Sequence, residues 1–161
     1  MRKTVVFVAM ALFVAAVGET DAQSLSPEDS LRLTHDAVAK GVREGNFALL
    51  QGLIHPQALG FFWDSQMLVE MKAGFGPTEA LAPVIADLSR FTSTPSSTTY
   101  RAIGDTGVVC MTSTRVPMKG EKPNKGEKLT VRYNRLTYVY VRSGDNWKLI
   151  SWHTSETPLK R

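Results

Sequence analysis

The period of the apolar residues changes once along this chain, and that change constrains the fold more than any other feature. From Ser96 onward the sequence reads as strands. Thr98 to Ile103, Val108 to Val116, Leu129 to Arg142 and Trp147 to Ser155 are rich in Thr, Val, Tyr and Trp. Gly104-Asp-Thr-Gly107, a lysine-rich loop and Ser143-Gly-Asp-Asn146 separate these runs as turns, a spacing that suits consecutive antiparallel pairing. Ahead of Ser96 the period is helical. Ser26-Pro27-Glu28-Asp29 supplies a cap, a first-turn proline and acids that favour the helix dipole. Leu31, Val38 and Val42 then recur at helical spacing, with Thr34 and His35 on the same stripe. Gly45 stops this helix, and Asn46 caps a short second one through Phe47, Leu49, Leu50, Leu53 and Ile54, ended by Pro56. Ala58 to Asp64 and Gln66 to Met71 read as short extended segments. Leu81, Ile85, Leu88 and Phe91 describe a further amphipathic helix, in which Pro83 requires a start near Ala82 or a distorted first turn. Helices first and strands last predict an α+β domain rather than a parallel sheet.

The amino terminus speaks to compartment. Arg2 and Lys3 precede an uncharged apolar run from Val5 to Val17, which is followed by Gly18, Ala22 and Ser24. A basic start, an apolar core of that length and small residues beyond it are the pattern of a secretory signal peptide. A spanning helix needs about 20 apolar residues, so the alternative of an uncleaved anchor is the poorer fit. Residues 1–24 are therefore read as a signal peptide and 25–161 as one domain, exported to the periplasm or beyond in a bacterium, without stable membrane insertion after cleavage.

Composition narrows the function classes. The single cysteine, Cys110, excludes an internal disulfide framework, and its apolar neighbours predict a small buried residue. The net charge of +4 concentrates between Arg115 and Arg135, which also holds Lys119, Lys122, Lys125, Lys128 and Arg132. Glutamates and Gly/Pro/Asn residues interrupt the run, so it reads as a solvated hairpin tip rather than a nucleic-acid surface. The three histidines are far apart in sequence, and no His-x-x-x-His or Cys-x-x-Cys spacing occurs. There is also no Gly-x-Ser-x-Gly elbow, phosphate loop or dinucleotide fingerprint, so neither a metal nor another cofactor is expected.

Two stretches carry a family resemblance. Arg43-Glu-Gly-Asn-Phe47 followed by Leu49-Leu-Gln-Gly-Leu-Ile-His-Pro56 resembles the opening of SnoaL-like domains. Leu136-Thr-Tyr-Val-Tyr-Val-Arg142, the turn Ser143-Gly-Asp-Asn146 and Trp147-Lys-Leu-Ile-Ser-Trp-His-Thr-Ser155 resemble their last hairpin. The resemblance runs from about Asp29 to Pro158. It implies the nuclear transport factor 2-like, or cystatin-like, roll: a cone-shaped curved antiparallel sheet packed against amino-terminal helices, with a cavity at its open end. That superfamily includes ketosteroid isomerase, scytalone dehydratase, limonene epoxide hydrolase, polyketide cyclases and a kinase association domain. One fold with such different tasks leaves function to be argued from the site.

His153 and Asp64 are the candidate catalytic groups. With an unbroken last strand, Trp147, Leu149, Ser151, His153 and Ser155 share one face, and His153 would serve there as a general base at a cavity mouth. Trp152 would then point to the other face, towards a subunit or a helix. Asp64 follows Phe61-Phe62-Trp63, aromatics that would raise a carboxylate's pKa. His35, Tyr100, Tyr138 and Trp63 are candidates for lining a ligand cavity, with a buried structural imidazole as the alternative for His35. His55, at a helix end, reads as structural.

The expected function is an exported binding domain that holds a small apolar molecule in its cone. The alternatives are a cofactor-free isomerase, dehydratase or cyclase-like enzyme, and an assembly module. A homodimer through the sheet is expected.

Overall fold

The computed structural model of the protein describes residues 25–61, 68–71, 77–123 and 129–157. Helix α1 spans Pro27–Glu44, α2 Phe47–Leu53 and α3 Pro77–Leu88. The strands are β1 (Ile54–Phe61), β2 (Leu68–Glu70), β3 (Phe91–Ile103), β4 (Thr106–Pro117), β5 (Arg132–Ser143) and β6 (Asn146–Thr157). They form one sheet in the order β2-β1-β6-β5-β4-β3, antiparallel throughout except where β1 lies parallel to β6. The α+β roll expected from the sequence is the observed architecture. The signal segment, residues 1–24, and residues 124–128 of the lysine loop lie outside the described residues.

Local chemistry explains the helix ends. The Asp29 N–H donates to Ser26 Oγ at 3.1 Å, and the Leu49 N–H donates to Asn46 Oδ1 at 3.1 Å, so both caps satisfy otherwise unpaired amides. Gly45 closes α1 in the left-handed conformation (φ 61°), which costs glycine no side-chain clash. Leu31 and Val38 on α1 are buried, with Val42 half-buried behind them. Leu31 packs so closely on β4 that a Cβ at Gly107 would stand 2.7 Å from its Cδ1. The Ala102 N–H of the edge strand β3 donates to Glu28 Oε1 (3.2 Å), tying the first turn of α1 to that edge.

Several boundaries differ from those expected, each for a physical reason. Strand β1 begins at Ile54 and runs through Pro56, so α2 ends at Leu53, before the proline could end it. His55 is thus a strand residue, and its Nδ1 accepts from the Gln57 N–H at 3.2 Å. Helix α3 carries Pro83 in its interior. Pro83 is exposed, so its ring lies on the solvent side of the helix, while Leu81 and Val84 are buried. Phe91 opens β3 rather than ending a helix. Pro95 is accommodated because β3 is an edge strand and its register slips between Pro95 and Ser97. Cys110 is exposed, not buried, because it alternates with the buried Val109 and falls on the outer face. Arg115, grouped by charge with the loop lysines, is buried at 4% exposure on the inner face and does not belong to a solvated tip.

Candidate functional site

Sheet alternation decides which side chains face the helices. On β4 the inner row is Gly107, Val109, Met111, Ser113 and Arg115; on β5 it is Asn134, Leu136, Tyr138 and Tyr140, with Arg132 at its start. On β6 the row changes parity. Val139 pairs with Ser151 but Tyr140 pairs with Leu149, so Ile150 is an extra residue, a β-bulge. Trp147 and Leu149 face inward before the bulge, and Trp152 and Thr154 face inward after it; all four are buried. Ser151, His153 and Ser155 are turned to the outer face. The bulge therefore overturns the shared face inferred for Trp147, Leu149 and His153. His153 is exposed and sits in register with Phe61, their rings 6.4 Å apart edge to face. Trp152 is interior to its own chain, lying against Gly60, where a Cβ would collide with the indole. It is not available for a subunit contact.

The inner face gathers the chain's other early candidates around one imidazole. His35, 4% exposed, projects from α1 onto the sheet, and its Nδ1 is 2.8 Å from the Tyr140 hydroxyl. The Tyr138 ring lies 4.8 Å from the His35 ring and the Tyr100 ring 5.9 Å, both edge to face. His35, Tyr100 and Tyr138, three of the four predicted lining residues, thus meet in one place. Trp63, the fourth, and Asp64 lie outside the described residues. Strand alternation places Tyr140 on the same face as Tyr138, but its pairing with His35 spans 105 positions of sequence and leaves no local signal.

Burial sets the protonation of this cluster. Desolvation lowers the His35 pKa below its ordinary 6.5, against a weaker upward pull from the Asp36 carboxylate, so the imidazole is neutral at neutral pH. Burial pushes the Tyr138 phenol up to about 12, and it raises Tyr140 well above its usual value with help from Tyr138, Tyr100 and Asp36. The phenols remain hydroxyl donors and the histidine a neutral donor–acceptor. Whichever ring nitrogen carries the proton, the Tyr140 pair is satisfied, since the hydroxyl can donate or accept.

Water still reaches part of this face. Tyr138 and Met111 point inward from the central strands β5 and β4, yet both are only half-buried. Met111, backed by the buried Leu136 and Val109, supplies an apolar surface, and Tyr138 and Tyr100 a phenolic one. Further along, Ser113 and Asn134 are buried polar residues, and the Arg132 guanidinium lies over the Phe91 ring at 4.9 Å. Among the described residues no cluster of three His, Cys, Asp or Glu side chains could hold a metal ion.

These features agree with what the chain is similar to. The family model for the SnoaL-like domain matches residues 32–160. A nuclear transport factor 2-like protein from Cytophaga hutchinsonii is 17% identical with a TM-score of 0.61, over 83% of this chain and 100% of that one. The CaMKII hub of S. rosetta is 19% identical with a TM-score of 0.62, over 83% and 99%. A candidate ketosteroid isomerase from Shewanella frigidimarina is 16% identical with a TM-score of 0.59, over 76% and 92%. At such identities the likeness concerns the fold. No curated protein matches the sequence.

Proposed function

For this chain, which belongs to the SnoaL-like domain family, we propose that the inner face of the sheet binds a small, largely apolar molecule whose oxygen is held by the tyrosines around His35. One observation carries the reading: Tyr138 faces inward from the central strand β5 and is only half-buried, beside a buried, neutral His35–Tyr140 pair. A ligand site needs an apolar lining with few, fixed polar groups. Here Met111, backed by the buried Leu136, gives the first, and Tyr138 and Tyr100 the second. The protein acts after export, as its amino-terminal segment argues, and as a homodimer through the outer sheet face, where Leu59, Phe61, Val116 and Tyr133 are exposed.

Mass spectrometry under non-denaturing conditions tests the reading on chain 25–161 isolated from its export compartment. A reproducible adduct in the wild type, lost when Tyr138→Trp fills the space, supports it. A clean mass, with no thermal stabilisation from a panel of apolar ketones and alcohols, refutes it.

Cofactor-free acid–base turnover is the second reading, favoured by the neutral state of His35 beside phenolic donors. A neutral imidazole can take a proton and a tyrosine can stabilise the oxyanion that forms. Turnover that survives in His35→Gln and Tyr138→Phe would remove it.

A further inference from the structure

Asn134 and Ser113 form a second polar station on the inner face, and among the described residues nothing satisfies it. They stand opposite each other in the β4–β5 register, at 2% and 3% exposure. Asn134 Nδ2, Asn134 Oδ1 and Ser113 Oγ are all buried without a hydrogen-bond partner. Buried polar groups are almost always paired, because leaving them unpaired forfeits their hydration with no return. Two orphaned residues directly across one ladder are therefore a standing cost to the free protein. Leucine or valine would avoid it at either position, as Val109 and Leu136 do on the same rows.

We infer that Asn134 and Ser113 are the polar end of the proposed ligand site and select a primary carboxamide or lactam group. The inference rests on the inner face being the binding surface. An amide side chain offers one donor and one acceptor side by side, and the group that satisfies both at once carries an adjacent C=O and N–H of its own. Ser113 can add a third hydrogen bond. A ketone leaves Oδ1 unpaired, an alcohol must serve both atoms from a single oxygen in bent geometry, and a carboxylate leaves Oδ1 facing a second acceptor.

The register also measures the ligand. Asn134 lies four residues from Tyr138 along β5, roughly 14 Å at about 3.4 Å per residue. The surface between them is apolar, with Leu136 on β5 and Met111 opposite it on β4. The ligand class is accordingly an elongated apolar molecule with an amide at one end and a hydroxyl or carbonyl oxygen at the other.

Three variants and three probes test this on chain 25–161. Decanamide, decanol and decanoic acid share one apolar chain and differ in the head group; binding is read by calorimetry and melting temperature by scanning fluorimetry. Decanamide is expected to bind about tenfold or more tightly than decanol, and Asn134→Leu to remove that preference. The same substitution should raise the melting temperature of the free protein, because it replaces an orphaned amide by an apolar group, and Ser113→Ala should do so to a smaller degree. A lowered melting temperature in Asn134→Leu would mean that the amide is already satisfied, by water for example, and would overturn the inference. Equal binding of decanamide and decanol, unchanged in Asn134→Leu, overturns the amide selection while leaving the inner face as a binding surface. Tighter binding of decanoic acid would place the nearby Arg115 charge in control and likewise overturn it. If none of the three binds, and Tyr138→Trp also changes nothing, the binding reading fails together with it.

Discussion

Tyr140→Phe removes a single oxygen from the centre of the molecule and isolates the interaction on which the inner face is organised. Tyr140 is fully buried, and its hydroxyl is 2.8 Å from Nδ1 of His35, itself 4% exposed. The phenylalanine ring fills the same space, so the packing change is small and the loss is that of the hydrogen bond. His35 Nδ1 is then left buried and unpaired, a penalty of about 1–3 kcal/mol. For a domain of this size that corresponds to a fall of roughly 3–12 °C in melting temperature. Urea unfolding of chain 25–161 measures it: the midpoint should fall with the slope unchanged, since the surface exposed on unfolding is the same. A double-mutant cycle with His35→Leu then assigns the loss to the pair. With His35 gone, Tyr140→Phe should cost little, giving a coupling energy on the order of 1 kcal/mol or more. A loss below about 0.5 kcal/mol in the wild-type background, or a cycle that closes to zero, would refute the closed His35–Tyr140 pair.

Other consequences are as direct. Burial lowers the His35 pKa below 6.5, so the unfolded chain binds a proton that the folded one refuses; stability should therefore be full above pH 6.5 and decline as pH falls towards the folded value. Denaturation midpoints between pH 7 and 5 should accordingly slope less in His35→Leu, and an identical slope would contradict a buried neutral imidazole. Gly60→Ala should destabilise by about 1–3 kcal/mol and shift tryptophan fluorescence, because the new methyl occupies the space of the Trp152 indole. Cys110 is exposed on the outer sheet face, so a homodimer through that face should slow its labelling by a thiol reagent relative to the denatured chain; labelling as fast as in denaturant would refute a dimer through that face. Ser26→Ala should cost about 1 kcal/mol through the lost cap of α1, seen as earlier urea unfolding without a change in ligand binding.

The parts of this fold that were legible in the sequence are those written in local chemistry. Ser26, Asn46 and Gly45 mark helix ends through hydrogen bonds to neighbours a few residues away, and the α1 stripe from Leu31 to Val42 follows from helical spacing alone. The turns at Gly104 and Gly144 follow from their flanking residues, and both glycines adopt positive φ. Where the reading went astray, a tertiary partner had altered what local pattern prescribes. Pro56 and Pro95 lie in strands at positions where the sheet is irregular, in the slipped register between Ile54 and Leu59 and at the edge. Pro83 stays in a helix whose buried side is held by Leu81 and Val84, with the proline itself exposed. Arg115 and Cys110 were judged by the company they keep in sequence, whereas strand alternation assigns them to opposite faces.

The site shows the same division at higher stakes, because a single residue decides which histidine it contains. Strict alternation from Trp147 sends His153 inward and Trp152 outward. The extra residue at Ile150 reverses both, and nothing in Leu149-Ile-Ser-Trp152 announces a bulge, since each residue suits a regular strand. What selects the bulge is the interior. It lets Trp147, Leu149 and Trp152 all be buried, where a regular strand would place one of the two indoles on the outer face. Burying a large apolar side chain is worth about 1.5–3 kcal/mol, a gain that sets the second indole against a locally disrupted ladder. His153 is then left on the outer surface, and the polar work inside falls to His35, which reaches the sheet from α1. The position of the candidate site is thus a consequence of core packing: the sheet turns its second indole inward, and the helix supplies the histidine.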